Sequence, residues 1–309
     1  MPEDFLAGYH ATLAGAGLFD RSDAAKLELT GPDAAMFLGN LCTNDIKKLA
    51  AGAGCPAFFC DSRAKVKFQT WIYRTPETNG ASSYWVETTP GRNADLYQYL
   101  DRYLISERVE ITDRTDEFAQ FLLAGPTAAP GRADRSDLLG LRAFDFVVPK
   151  AEAEHLRQGL IAAGATPAGP QVYETLRIEA GTPLFGPDID ENRFVMEVAD
   201  AARAVSYTKG CYLGQEPIVM ARDRAGHVNR AFLGMKVLDG GPLPPGAKVV
   251  HDGQDVGVVT SSCHSPRLGA PVALGYLRWK HQEVGTRMDA ESPAGRQSVE
   301  VLGMPPVGG

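Results

Sequence analysis

Eight consecutive residues, Lys209-Gly210-Cys211-Tyr212-Leu213-Gly214-Gln215-Glu216, concentrate more chemistry than any other stretch of this chain. A thiol stands between two glycines, with the ammonium of Lys209 close by. Glycine allows backbone angles closed to other residues and lets a ligand or partner approach the main chain. A nearby cation favours the thiolate, the form of cysteine that attacks electrophiles and binds metal. Cys211 is thus the candidate nucleophile and Lys209 the residue expected to lower its pKa, while Gln215 and Glu216 add an amide and a carboxylate. The plain alternative is a cysteine that packs as a small hydrophobe in a Gly-rich turn.

Three other groups of residues invite a chemical reading. Arg222, Arg224, His227 and Arg230 follow the octet as a cationic patch, either solvated surface or an anion-binding site in which Arg222 takes part. Glu174, Arg177 and Glu179 ride one helix. They read as an exposed charged face with a neighbour pair, or with Glu179 turned into a cavity as an acceptor. Cys55 and Cys60 give one interval of an iron–sulfur spacing without the rest of it, and Cys263-His264 lacks partners at zinc spacing, so no metal ligand is assigned. Neither a G-x-G-x-x-G nor a G-x-x-x-x-G-K-[ST] loop is present, which leaves no positive sign of a dinucleotide or ATP enzyme.

The elements that must position these residues follow from periodicity. Lys26 to Thr30 alternates like a half-buried strand, and Gly31-Pro32-Asp33 opens a helix through Leu41. Ala57 to Cys60 and Val66 to Arg74 form a hairpin around Asp61 to Ala64, with Val66, Phe68, Thr70 and Ile72 on one face. Ser83 to Thr88 is a strand, and a helix after Pro90-Gly91 lines up Leu96, Tyr99, Leu100 and Tyr103. Phe118 to Ala124 and Phe144 to Val148 are strands separated by an Ala/Pro/Gly/Arg-rich segment, Gly125 to Gly140, that reads as a long surface loop. Helices follow over Ala151 to Ala163 and Gln171 to Ala180. Beyond Arg230 the chain turns Gly- and Pro-rich, with a hairpin from Lys248 to Thr260 about Asp252-Gly253 and strands at Ala273 to Arg278 and Gln297 to Leu302. Without regular βαβ alternation the fold class is α+β.

Composition sets outer bounds. The 309 residues, 44% hydrophobic and 22% charged, suit a soluble globular protein of two or three domains. A net charge of -7 argues against broad nucleic-acid binding. Met1 to His10 shows no basic leader before an apolar run, and no stretch is long enough to span a bilayer, so a cytoplasmic protein without membrane contact is expected. Five cysteines at irregular spacing fit reduced thiols.

The octet is similar to the signature of the YgfZ family, folate-binding proteins tied to iron–sulfur clusters. Leu41-Cys42-Thr43-Asn44-Asp45, Leu176-Arg177-Ile178-Glu179-Ala180-Gly181, Thr260-Ser261 with Ser265-Pro266, and Ala273-Leu274-Gly275-Tyr276 resemble the wider superfamily of the glycine cleavage T-protein. The resemblance runs from about Phe19 to Tyr276. It implies a three-domain, cloverleaf-like α+β fold with a C-terminal β-barrel: residues 1–115 with 170–228 as a folate-binding body, 116–169 as a second α+β domain, and 229–309 as the barrel. It also implies a tetrahydrofolate site drawing on Glu179, Asn44, Phe185, Tyr212, Gln215 and Arg222, with the Glu179 carboxylate facing the pterin. Phe185 stands where the T-protein usually has tyrosine. The strand that carries a catalytic aspartate in the T-protein reads Val66-Lys67-Phe68-Gln69-Thr70 here, with no acid, which argues against aminomethyl transfer. The family therefore implies an accessory protein for iron–sulfur cluster assembly or repair. It would serve radical enzymes that thiolate tRNA, hold a cluster transiently at Cys211, and have iron–sulfur proteins or cluster carriers as partners. The alternative is a folate-dependent aminomethyltransferase or related one-carbon transferase.

Overall fold

The computed structural model of the chain describes residues 3–307 apart from 78–81, 137, 199–200 and 226–227. It divides into two compact units, Met1–Ser136 with Leu141–Pro170 and Arg203–Gln215, and Asp137–Gly140 with Gln171–Ala202 and Glu216–Gly309. His227 of the cationic patch lies outside the described residues.

The first unit opens with α1 (Glu3–Ala14) and β1 (Gly17–Asp20), and holds two five-stranded sheets. One is wholly antiparallel and runs β3-β4-β5-β2-β6, from β2 (Ala25–Thr30), β3 (Gly54–Cys60), β4 (Val66–Arg74), β5 (Tyr84–Thr88) and β6 (Glu110–Asp113). The expected hairpin is β3 and β4. Residues of even number on β4 and β5 face α2 (Ala34–Leu41) and α3 (Asn93–Tyr103), so Phe68, Ile72 and Val86 pack with Leu27, Leu29, Phe37, Leu38, Leu96 and Leu100. Each such side chain, fully buried, contributes about 1.5–3 kcal/mol. Because side chains alternate across a strand, Lys26, Trp71, Tyr73, Trp85 and Glu87 must occupy the face that no helix covers.

The second sheet runs β10-β1-β7-β9-β8, with β7 (Phe118–Ala124), β8 (Ala133–Asp134), β9 (Ala143–Pro149) and β10 (Thr166–Pro167). Its apolar face, Phe121, Leu123, Phe144 and Phe146, packs on Leu156 and Leu160 of α4 (Ala153–Ala162). Gln120 and Asp145 take the other face. The segment after Gly125 is not the surface loop its composition suggests: β8 pairs with β9, Ala128 and Ala133 are buried, and Arg135 is 3% exposed.

The second unit comprises α5 (Pro170–Glu179) from Gln171 onward and a closed six-stranded barrel, β11-β14-β13-β12-β15-β16. Its strands are β11 (Arg230–Val237), β12 (Lys248–His251), β13 (Gln254–Ser265), β14 (Ala270–Arg278), β15 (Arg287–Ser292) and β16 (Gly295–Leu302). The α+β class and the C-terminal barrel agree with expectation. Asp252 and Gly253, at φ 50° and 74°, make the tight turn between β12 and β13, where both central residues need the left-handed region. β15 escapes sequence reading because only Met288 and Ala290 mark its inner face. No helix among the described residues is long and apolar enough to cross a membrane.

Candidate functional site

Folding brings the octet against the Leu41-Asp45 segment, and backbone demands explain how. The last carbonyls of a helix lack intrahelical donors and attract cations. Lys209 meets that need at the end of α2, where its Nζ donates to the carbonyls of Gly39, Cys42 and Asn44 at 2.6, 2.7 and 2.6 Å. The ring of Tyr212 lies 4.8 Å from the same ammonium. Burial lowers the Lys209 pKa, opposed by Cys42 and Asp45. What the structure shows for Lys209, expected as the thiolate partner of Cys211, is a role at a helix end. Its three hydrogens are taken by carbonyls, and the thiols that feel its charge are Cys42, Cys55 and Cys60. Burial nevertheless raises all three, Cys55 and Cys60 to about 12.

The rest of the segment works in the same way. Thr43 Oγ1 donates to the Ala204 carbonyl at 2.6 Å and accepts from Phe58 N–H. Asn44 donates both amide hydrogens, to Pro56 and Arg203 carbonyls, so this expected folate contact is a peg between two chain segments. The Cys60 thiol donates to the Leu213 carbonyl. Gly214, at φ 81°, lets the strap pass so closely that a Cβ there would lie 2.5 Å from the Asp61 carbonyl oxygen and 2.7 Å from Cys60 Sγ. Gly210 has open space around it. Cys211 is exposed, Tyr212 buried and Gln215, the first residue of α6 (Gln215–Met220), half-buried. Of its expected neighbours the octet thus gains a scaffold, while the thiol itself faces outward.

In the second unit α5 is not an exposed charged face. Arg177 and Glu179 are both 0% exposed. The Arg177 guanidinium binds Glu174, Asp188 Oδ2 (2.5 Å), Ser261 Oγ (2.8 Å) and the Thr182 carbonyl. Asp188 in turn accepts from Thr260 and Ser261 on β13. Glu179 accepts from Ser265 Oγ at 2.5 Å and Arg267 Nε at 3.2 Å, and the Arg267 side chain is 33% exposed. Thr260-Ser261 and Ser265, separate segments in the sequence, thus converge on one helix. Phe185 is half-buried and forms a bridge with Ile189. Arg222 pairs with Asp223 through Nε and Nη2, at 2.5 and 2.9 Å.

Sequence reasoning missed a third cluster, in the first unit, where the helix-free faces of the two sheets enclose a cleft of about 340 Å³, solvent mouth included. Lys26, Trp71, Trp85, Glu87, Arg132 and Asp145 are among its walls. Glu87 accepts from Arg21 (2.8 Å), Arg135 (3.0 Å) and Gln120 (2.7 Å), and Arg135 also binds Asp145 Oδ2 at 2.6 Å. Burial would raise the Glu87 pKa, but Arg135 and Arg21 outweigh it and hold the carboxyl far below its usual range. Arg132 lies over the rings of Tyr73 (4.1 Å) and Trp85 (4.6 Å), and Arg135 over Trp71 (4.3 Å). The available signal was the alternation that puts Lys26, Trp71 and Glu87 on one face. The two arginines sat in what read as a loop.

Residues 3–130 match the GCVT N-terminal domain family, and residues 230–307 match the glycine cleavage T-protein C-terminal barrel domain. The chain belongs to the glycine cleavage T-protein superfamily. Within it, the chain is 28% identical to an aminomethyltransferase of Herpetosiphon aurantiacus over 92% of its own length and 84% of the relative's. It is 29% identical to an aminomethyltransferase of Rubrobacter xylanophilus over 88% and 78%. The crystal structure of the glycine cleavage system aminomethyltransferase T from Bartonella henselae matches with a TM-score of 0.87 at 21% identity, covering 98% of this chain and 89% of that one, a likeness of fold. Against that T-protein background β4 carries no carboxylate from Val66 to Arg74.

Proposed function

We infer that this protein binds a reduced folate, tetrahydrofolate or a derivative, through the buried carboxylate of Glu179. The supporting observation is the Glu179–Arg267 pair. A guanidinium and the amino-pyrimidine edge of a pterin both present planar N–H donors to a carboxylate. Arg267, a third exposed, is the partner a pterin edge would replace. The first-unit cleft is less suited to a bicyclic ring, because Arg132 and Arg135 cover its aromatic faces. Calorimetric titration of tetrahydrofolate into wild type and Glu179→Gln tests the reading. Wild type should bind and the variant should lose at least about tenfold, the worth of one charged hydrogen bond. Equal affinities, or no binding to wild type, would overturn it.

The names of the relatives favour one-carbon transfer as the use of that folate. The acid-free β4 weighs against proton handling in the manner of an aminomethyltransferase. Formation of methylenetetrahydrofolate from aminomethylated carrier protein decides between transfer and a binding role. The second reading, an accessory to iron–sulfur assembly or repair for tRNA-thiolating radical enzymes, rests on the exposed Cys211 between Gly210 and Gly214. If it is right, Cys211→Ala fails to rescue a strain lacking the endogenous protein while keeping its folate affinity. Full rescue sinks it.

A further inference from the structure

The cleft between the two sheets of the first unit carries an imbalance that its own side chains do not settle. Two carboxylates, Glu87 and Asp145, are met by Arg135 and by Arg21, whose Nη1 stands 3.8 Å from Asp145. Lys26 and Arg132 are cations beyond that balance. Lys26 is 2% exposed and gives two ammonium hydrogens to the carbonyls of Ser22 and Ala24, at 3.0 and 2.6 Å, with no carboxylate within 4 Å among the described residues. Arg132 stacks on Tyr73 and Trp85 and likewise has no carboxylate at ion-pair distance among the described residues. Burial lowers the pKa of both; Glu87, Asp23 and Asp145 oppose it at Lys26, and at Arg132 the Tyr73 hydroxyl opposes it first, ahead of the more distant Asp145 and Glu87. Buried cations without a matched anion are costly.

A second observation points the same way. Oδ1 of Asp145 is buried, on a side chain 4% exposed, and accepts no hydrogen bond. Such an orphan acceptor carries a desolvation penalty unless a donor is supplied. The cleft therefore lacks an anion for Lys26 and Arg132, an acceptor for Trp71 Nε1, and a hydrogen-bond donor for Asp145 Oδ1, which has only the Arg21 ion pair at 3.8 Å. With the arginines in place, the enclosed part of the cleft holds only a few non-hydrogen atoms. Glu87 does not repel such a ligand strongly, because Arg21, Arg135 and Gln120 already engage its oxygens.

The geometry points to a binding site for a small hydroxy or amino acid, its carboxylate taken by Lys26 and Arg132 and its adjacent O–H or N–H donating to Asp145 Oδ1. The site shares no residue with the folate reading, so either can fail alone. Glycolate is the simplest probe, acetate removes the donor, and 2-hydroxyacetamide removes the charge. The full chain carries three tryptophans, Trp71, Trp85 and Trp279. A Trp279→Phe background leaves only the two at the cleft, and their emission follows binding in a buffer free of small carboxylates and phosphate. Glycolate should give a saturable change, acetate should bind about tenfold more weakly, and the amide should not bind, each lost charged hydrogen bond being worth about tenfold or more. Lys26→Met and Arg132→Gln should each weaken glycolate by at least about tenfold. Arg132 is half-buried at the cleft wall, so its variant reads the site even if Lys26→Met fails to fold. No saturable response to glycolate up to about 50 mM, equal binding of the amide, or an Arg132→Gln protein that binds as wild type does would overturn the assignment.

Discussion

At the scale of single residues, the octet divides by what each side chain touches. Lys209 caps a helix, Gly214 admits a close crossing, and Cys211 is exposed, as are Gly210 and Glu216. The two glycines, equivalent in the sequence, therefore do different work. At Gly214 an alanine must hold φ near 81° and push its Cβ into the Asp61 carbonyl and Cys60 sulfur. At Gly210 a Cβ meets nothing within 4 Å. Gly214→Ala should cost about 2 kcal/mol through backbone strain and overpacking. Gly210→Ala should stay within about 0.5 kcal/mol of wild type, as surface changes usually do. Urea unfolding of the two variants checks this. A Gly214→Ala midpoint equal to that of Gly210→Ala would show that the strap gives way freely.

At the scale of elements, α5 shows what local pattern can and cannot convey. Its helical span and its stop at Gly181 follow from periodicity and a glycine at φ 72°. The burial of Arg177 and Glu179 does not, because Asp188, Ser261 and Ser265 lie in later segments and no spacing within the helix announces them. The same holds for Arg132 and Arg135, whose rings and carboxylates come from β4, β5 and β9. By contrast the β3–β4 hairpin and the Asp252-Gly253 turn are local structures and were legible as such. The buried network gives α5 a sharp prediction. Removing Asp188 leaves Arg177 at 0% exposure with only Glu174 as a charged partner among the described residues, strips Ser261 of its acceptor, and leaves Thr260 only the Leu274 carbonyl at 3.3 Å. Asp188→Ala should cost about 3–5 kcal/mol. Replacing Arg177 by Met as well should recover part of that loss, since the uncompensated charge goes with it. Denaturant melts of both variants measure the difference, and a double variant no better than the single would argue against an electrostatic origin.

At the scale of the whole molecule, each unit buries its own charge cluster, and one carboxyl in each, Glu87 in the first and Glu197 in the second, is shifted in the opposite sense. In the first unit the folded-state pKa of Glu87 lies well below its ordinary value of 4.5, held there by Arg135 and Arg21 against the effect of burial. A depressed carboxyl contributes stability that is fully present above the unfolded pKa and is lost as pH falls toward the folded one. In the second unit burial raises the Glu197 pKa above 4.5, which acts in the opposite sense: protonation there favours the folded state. Acid should therefore weaken the first unit before the second. The expected record is backbone hydrogen exchange at pH 7 and then below pH 4.5, with protection in β4, β5 and β9 falling more steeply than protection in the barrel strands. Glu87→Gln removes the titration while keeping the shape. It should begin less stable at pH 7, because Arg21 and Arg135 lose a charge, yet show a shallower loss toward acid than wild type. Parallel pH profiles for the two proteins would mean that the Glu87 cluster does not govern acid unfolding, whatever its geometry.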